Sequence, residues 1–378
     1  MQSERLQNTK RIESVIFLTY HFPPEVGGIQ TRISKYVENL AKRGIRVKVL
    51  VVGRNPIVTA RFQGSEVVPC SGGVTHFPRN AFLVTKSVIR SKADVVHVFT
   101  GASTLLGVYA LTLGRAMRAR CVVSFFGRED FVFPNLASGV LFRLSTNLAG
   151  SIDVNSSATG TSIPKKFKIK THVLLGAAEE PRSSALAQAQ SHQGEAAVLL
   201  FVGRLVERKG VDDLLRAFAI IRPRFPQARL SIVGDGPERN TLVKLAEQLQ
   251  LSDSVDFRGT RVEAELDQEY ARCTALVLPS KDVATDMANE GLGLALIEAS
   301  MHAKPLIGTR HGGILEIVKQ DENGILVPPG DPASLAEAMA EILTNEDQAR
   351  EMGKRGFQMA KSRFSWERAT NVLLETYA

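Results

Sequence analysis

Short apolar runs alternate with longer stretches whose apolar residues recur every three or four positions, and this alternation organises most of the chain. Runs of the first kind predict β-strands, and stretches of the second kind predict helices. In the first half, strands are predicted over residues 14–19, 46–52, 95–99 and 121–125, with helices over 28–43 and 103–118. The second half repeats the scheme with a strand at 197–202, a helix at 211–221, a strand at 229–233 and a helix over 237–250 that has Pro237 in its first turn. Further strands are predicted at 255–257, 275–278, 305–308 and 324–327. Strands separated by helices point to an α/β fold, with parallel sheets covered by helices on both faces.

The rhythm breaks between Leu174 and Gly194. There the chain reads Gly-Ala-Ala-Glu-Glu-Pro and then becomes rich in Ser, Ala and Gln, as a linker or surface loop does. The expected organisation is a first Rossmann-like, doubly wound domain over 1–176, a hinge over 177–196 and a second such domain over 197–362. Residues 363–378 follow as an amphipathic helix bearing Phe364, Trp366, Val372 and Leu373. Domains of this kind take ligands at the carboxyl ends of their strands, here expected between the two domains.

Composition narrows the partners. Cys70, Cys121 and Cys273 stand at unrelated spacings, which fits a reducing compartment rather than a disulfide framework or a metal motif. Residues 1–10 are polar, and no apolar run reaches the roughly 20 residues that span a bilayer. The expectation is a cytoplasmic protein, soluble or resting on the cytoplasmic membrane face. The net charge of +8 conceals an imbalance, because residues 1–176 carry 24 Lys and Arg against 9 Asp and Glu. Such a body attracts anionic headgroups, nucleic acid or an anionic acceptor. No aromatic-studded basic strand pair or nucleic-acid-binding helix motif is present, so an anionic membrane is the expected partner and nucleic acid is not.

Candidate chemistry gathers where predicted strands end. Glu290 and Glu298 lie eight residues apart, with Gly291 and Gly293 behind the first and a helical pattern through Leu294, Leu296 and Ile297. Glycines at such a turn let backbone N–H groups approach a ligand, and each carboxylate could hold sugar hydroxyls. Arg204 and Lys209 bracket the loop after strand 197–202 and suit a diphosphate. Gly27 and Gly28 follow the first strand and open a helix, another phosphate-cradling arrangement. No Asp-x-Asp stands at a strand end, so neither a metal nor any other cofactor is expected.

In order and spacing, several runs together resemble the family-four retaining glycosyltransferases of GT-B fold. They are Pro23-Pro24-Glu25-Val26-Gly27-Gly28-Ile29, Gly203-Arg204 with Lys209-Gly210, Gly234-Asp235-Gly236-Pro237-Glu238, Pro279-Ser280, Asn289–Ser300, Gly312-Gly313-Ile314 and Asn323-Gly324. The resemblance implies transfer of a sugar from a nucleoside diphosphate to an acceptor held by the first domain, with the last helix crossing back onto that domain. Arg204 and Lys209 would bind the donor diphosphate, with the Gly27-Gly28 turn reaching it. Glu290 would contact the donor sugar, as would the N–H groups of Gly291, Leu292, Gly293 and Leu294. Glu298 would hold the ribose, Gly234 and Gly236 would line the nucleotide side, and the stretch from Arg258 to Val262 would meet the base.

The departures are equally specific. Phe126 stands where relatives carry a histidine facing the sugar. Glu129 or Asp130 either takes over a polar role toward the acceptor or simply begins a helix. His311, beside Gly312-Gly313, is a candidate for the donor cleft, whereas His97 reads as a packing residue. A lipid-linked acceptor in polysaccharide or glycolipid assembly is expected. A soluble sugar acceptor, a GT-B-type epimerase and a non-catalytic nucleotide-sugar-binding subunit remain alternatives.

Overall fold

The computed structural model describes residues 12–24, 27–53, 61–71, 74–99, 104–126, 136–163, 171–181, 196–283 and 292–378. The chain divides into two compact units, the first reaching Gly176 and regaining Trp366–Ala378, the second spanning Ala177–Ser365.

Among the described residues, the first unit holds β1 (Ser14–Thr19), β2 (Arg46–Gly53), β3 (Arg61–Phe62), β4 (Ser65–Ser71), β5 (Val95–Phe99), β6 (Arg120–Phe125), β7 (Ser151–Val154) and β8 (His172–Val173). Their order in the sheet is β3-β4-β2-β1-β5-β6-β7-β8, parallel throughout except for the β3–β4 pair. β1 and β5 are buried at every position, so both sheet faces must be covered, and their continuous apolar sequence follows from that. One face is packed by Phe77–Ser91, Leu105–Ala116 and Leu136–Leu148, over a core that includes Ile16, Val96, Val123 and Phe142. The final helix, Trp366–Thr376, packs on Gly28–Lys42. It is anchored by Tyr377, whose hydroxyl pairs with His97 Nδ1 at 2.7 Å, while His97 Nε2 pairs with Ser124 Oγ at 2.8 Å. His97 is thus a core residue, and burial together with the charge of Arg32 holds its pKa well below the ordinary value.

The second unit, among the described residues, holds β9 (Val198–Val202), β10 (Arg229–Val233), β11 (Val255–Gly259), β12 (Ala275–Leu278), β13 (Leu306–Thr309) and β14 (Gly324–Val327), all parallel, in the order β11-β10-β9-β12-β13-β14. The chain moves outward from β9 in one direction, then returns to β12 and moves in the other. The carboxyl ends of β9 and β12 therefore flank the switch point, where loops diverge and a ligand can enter.

Residues 174–178 depart from the surface-loop expectation. Leu174, Ala177 and Ala178 are buried, the Leu174 amide bonds Val154, and the Ala178 amide bonds Phe364. Their backbone groups are satisfied by the two units themselves, so this stretch is part of the packed structure; residues 182–195 lie outside the described residues.

Candidate active site

The loop after β9 is built by backbone packing. The Gly203 amide bonds Val233, the Leu205 amide bonds Asp235, and Leu205 in turn accepts from the Glu238 amide. This zips the Gly203–Leu205 segment to Gly234–Gly236. At Gly234 a Cβ would fall on the Gly203 carbonyl and at Gly236 on the Leu205 carbonyl, and Gly234 has φ +131°. These glycines are required for two loops to touch, whatever else they line. The result is a tight turn with Arg204 exposed at its tip; its carbonyl accepts from the Val206 amide, while its side chain makes no hydrogen bond or ion pair among the described residues.

Lys209 closes a short 3-10 turn, Glu207–Lys209, and its half-buried side chain runs beside Gly203. Gly210 follows in the left-handed region at φ +66°, against the Pro279 carbonyl at the end of β12. Helix Val211–Ile221 starts there. A lysine that sequence reasoning passed over fixes this junction. Lys281 donates from its amide to the Arg208 carbonyl at 2.9 Å, and its Nζ contacts Asp212 and Asp213 at 2.8 Å. Burial alone would push the Lys281 pKa down, but the two carboxylates outweigh it and raise it. Lys281 thereby ties the β12 loop to the turn that presents Lys209.

Glu298 lies in helix Leu294–Met301, which begins after Gly293 at φ +76°. Leu292 and Gly293 are buried, with Gly293 against Leu278 and Leu296, while Leu294 is half-buried. Glu298 accepts a 2.6 Å hydrogen bond from Tyr270 Oη through Oε2, while Oε1 has no partner among the described residues. Burial raises the Glu298 pKa, with the Tyr270 hydrogen bond opposing the rise. Behind it, His302 Nδ1 pairs with the Glu298 carbonyl at 2.9 Å, and His302 Nε2 lies 3.3 Å from Asp267. Tyr270 was not legible as a site residue because it sits 28 residues from its partner.

His311 is buried after β13, with Nδ1 3.7 Å from Asp282. Val262 stands exposed at the start of helix Glu263–Arg272, just beyond β11. Arg204, Lys209, Gly234, Gly236, Val262, Leu292, Gly293 and His311 thus all follow carboxyl ends of strands in the second unit. Glu290 and Gly291 lie outside the described residues.

The sequence pattern described as glycosyl transferases group 1 matches residues 183–359, and that described as glycosyl transferase 4-like domain matches residues 27–151. The chain belongs to the family-four glycosyltransferases. Its GT-B fold is shared with sucrose-phosphate synthase from Thermosynechococcus elongatus, at TM-score 0.79 and 21% identity, covering 97% of this chain and 98% of that one. Over 93% of its length this glycosyltransferase is 29% identical to the GDP-mannose-dependent alpha-(1-6)-phosphatidylinositol monomannoside mannosyltransferase of Mycobacterium tuberculosis, of which 95% is covered. Over 95% of its length it is 25% identical to the GDP-mannose-dependent monoacylated alpha-(1-6)-phosphatidylinositol monomannoside mannosyltransferase of Corynebacterium glutamicum, of which 97% is covered.

In the first unit of the glycosyltransferase, Gly27 caps helix Gly28–Lys42 with extended backbone, and its carbonyl accepts from the Thr31 amide. Phe126, which replaces the histidine of relatives, is buried and stacked on Phe99 at 6.0 Å, with the Arg32 guanidinium 5.3 Å from its ring centroid. A guanidinium held near an aromatic face in the interior gains a cation–π attraction. Glu129 and Asp130 lie outside the described residues.

Proposed function

We propose that this glycosyltransferase moves a mannosyl group from GDP-mannose to a lipid-linked acceptor of the phosphatidylinositol class, with retention at the anomeric carbon and without a metal ion. The observation that carries the reading is the end-to-end match with the two actinobacterial mannosyltransferases, which spans both units. Retention is what the family resemblance implies. In the proposed step the bond from the anomeric carbon to the diphosphate oxygen breaks, and the acceptor hydroxyl oxygen bonds to that carbon on the same face. The hydroxyl proton passes to the departing phosphate.

Negative charge grows on the diphosphate as the bond breaks. Arg204 at the tip of the β9 loop and Lys209 beside it are assigned to that charge, which is why no metal is invoked. Glu298 is assigned to the ribose through its unengaged Oε1, with Tyr270 fixing the rotamer. Glu290 and the N–H groups from Gly291 to Leu294 are assigned to the sugar, and Val262 to the base. The acceptor is assigned to the first unit, whose basic charge suits an anionic headgroup. The test is transfer from radiolabelled GDP-mannose into a lipid extract, in the presence of a chelator. Incorporation into the organic phase supports the proposal, and incorporation only from another nucleotide sugar, or only with added metal, overturns the donor or metal assignment.

A further inference from the structure

The amino ends of β2, β3 and β4 break the apolar pattern of their sheet face. Register sets Ile16 beside Lys48, Lys48 beside Glu66 and Glu66 beside Arg61, so these four side chains share one face. Arg46 lies two residues from Lys48 in β2 and falls on that face as well. It is the face whose core includes Ile16, Leu50 and Cys70, with helix Phe77–Ser91 packed over it. The two-residue turn between β3 and β4, Gln63-Gly64, has φ 47° and 78°, the left-handed pair that a tight hairpin uses, and it holds Arg61 opposite Glu66.

The helix meets this end of the sheet across a recess. Leu83, Lys86, Ser87 and Arg90 recur at helical spacing and line a cavity of about 950 Å³, whose sheet wall includes Arg46, Lys48, Arg61 and Glu66. The cavity thus gathers five cations against one carboxylate. That carboxylate is held by Lys48, with Nζ 2.8 Å from Glu66. The side chains of Arg46, Lys86 and Arg90 make no hydrogen bond or ion pair among the described residues. Charge that serves solubility alone is interspersed in sign. Like charges drawn into one recess repel one another unless an anion sits among them.

We propose that this recess binds a soluble small molecule carrying two or more phosphate groups. Guanidinium and ammonium groups donate to phosphate oxygens with charge assistance, and three unengaged cations beside Lys48 and Arg61 suit more than one phosphate. The cavity has the size of a small-molecule pocket, well beyond the volume of a single phosphate. Leu83 and Val68 line it as well and supply apolar contact for the body of the molecule. A recess between helix and sheet admits a small molecule rather than a planar surface. It lies at the amino edge of the first sheet, whereas a doubly wound domain takes its substrates at the carboxyl edge. The site is therefore separate from the Gly27-Gly28 turn after β1 and from the donor residues assigned in the second unit.

The experiment is isothermal titration of tripolyphosphate into the full chain carrying Arg204→Ala and Lys209→Ala, so that the cations assigned to the donor do not report. In about 0.15 M salt, where exposed charges are screened beyond about 8 Å, one molecule is expected to bind per chain. Adding Arg46→Gln with Arg90→Gln is expected to weaken that binding by roughly tenfold or more, through loss of two charge-assisted contacts. Lys86→Gln alone weakens it by a smaller factor and stands in if the Arg46, Arg90 pair proves unstable in a thermal melt. Glu66→Gln removes the one opposing carboxylate and is expected to tighten binding by roughly threefold. Lys354→Gln, on the exposed side of helix Glu346–Arg363 in the second unit, leaves it within about twofold. Absent binding in the starting chain would overturn the proposal. So would binding that neither Arg46→Gln with Arg90→Gln nor Lys86→Gln weakens, or a loss in Lys354→Gln equal to theirs, which would mark a diffuse field rather than a site.

Discussion

At the scale of single residues, the motif splits into residues that build the loops and residues proposed to do chemistry. Gly234 and Gly236 belong to the first group, because carbonyls of the neighbouring loop occupy the space a Cβ would need. Gly234→Ala is therefore expected to lower the melting temperature as well as activity. Lys209→Ala is expected to reduce kcat/KM by about a hundredfold or more with an unchanged melt, in proportion to a lost transition-state charge contact. An equal loss of stability in both variants would contradict that division. Tyr270→Phe removes a hydrogen bond to a carboxylate, typically about 1.5–3 kcal/mol, and should raise KM for the donor more than it lowers kcat. Steady-state kinetics distinguish that outcome from a loss confined to kcat. Glu298 and Arg204 were singled out as candidates by their place among the ordered motifs. Tyr270 and Lys281 were not, since each meets its acidic partner only after folding, across 28 and 69 residues.

At the scale of elements, apolar strands at the centre of each sheet were readable because burial on both faces leaves an unbroken apolar run. β4 escaped notice: exposed and buried positions are interspersed along it and Pro69 interrupts it. β7 is four residues long and contains Asp153, whose carboxylate is buried without a hydrogen-bond partner among the described residues. Burial raises Asp153 to about 7 against the pull of the Arg32 charge. Its folded pKa thus lies above the unfolded value of about 3.9. The unfolded chain gives up the proton first, so the contribution of Asp153 to stability is fullest below about pH 4 and falls as pH rises to about 7, by at most about 1.4 kcal/mol per pH unit. Asp153→Asn should flatten that slope, measured as melting temperature across the window; an unchanged slope would remove Asp153 as its source. The Lys281 junction joins the β12 loop to the helix after Gly210. Lys281→Met leaves two aspartates facing each other and should cost about 1–2 kcal/mol once partial exposure is allowed for, read by urea unfolding.

At the scale of the whole molecule, the alternation of strand and helix carried the two α/β units with parallel sheets, and the order of the motifs carried the family and, with it, the GT-B fold. Return of the last helix to the first unit had no signal in its own pattern. It is held by contacts made only after folding, among them Tyr377 with His97 in β5, 280 residues away, and Trp366 against Tyr36. The donor and acceptor were equally hidden, because a few loop side chains set them and backbone periodicity does not. The most direct test of the central claim is mannosyl transfer from GDP-mannose to phosphatidylinositol-class lipid by the purified chain. The account predicts acceptor-dependent GDP release with label in the lipid phase, lost in Lys209→Ala. GDP release at the same rate without lipid, or no turnover of GDP-mannose with any lipid acceptor, would contradict it.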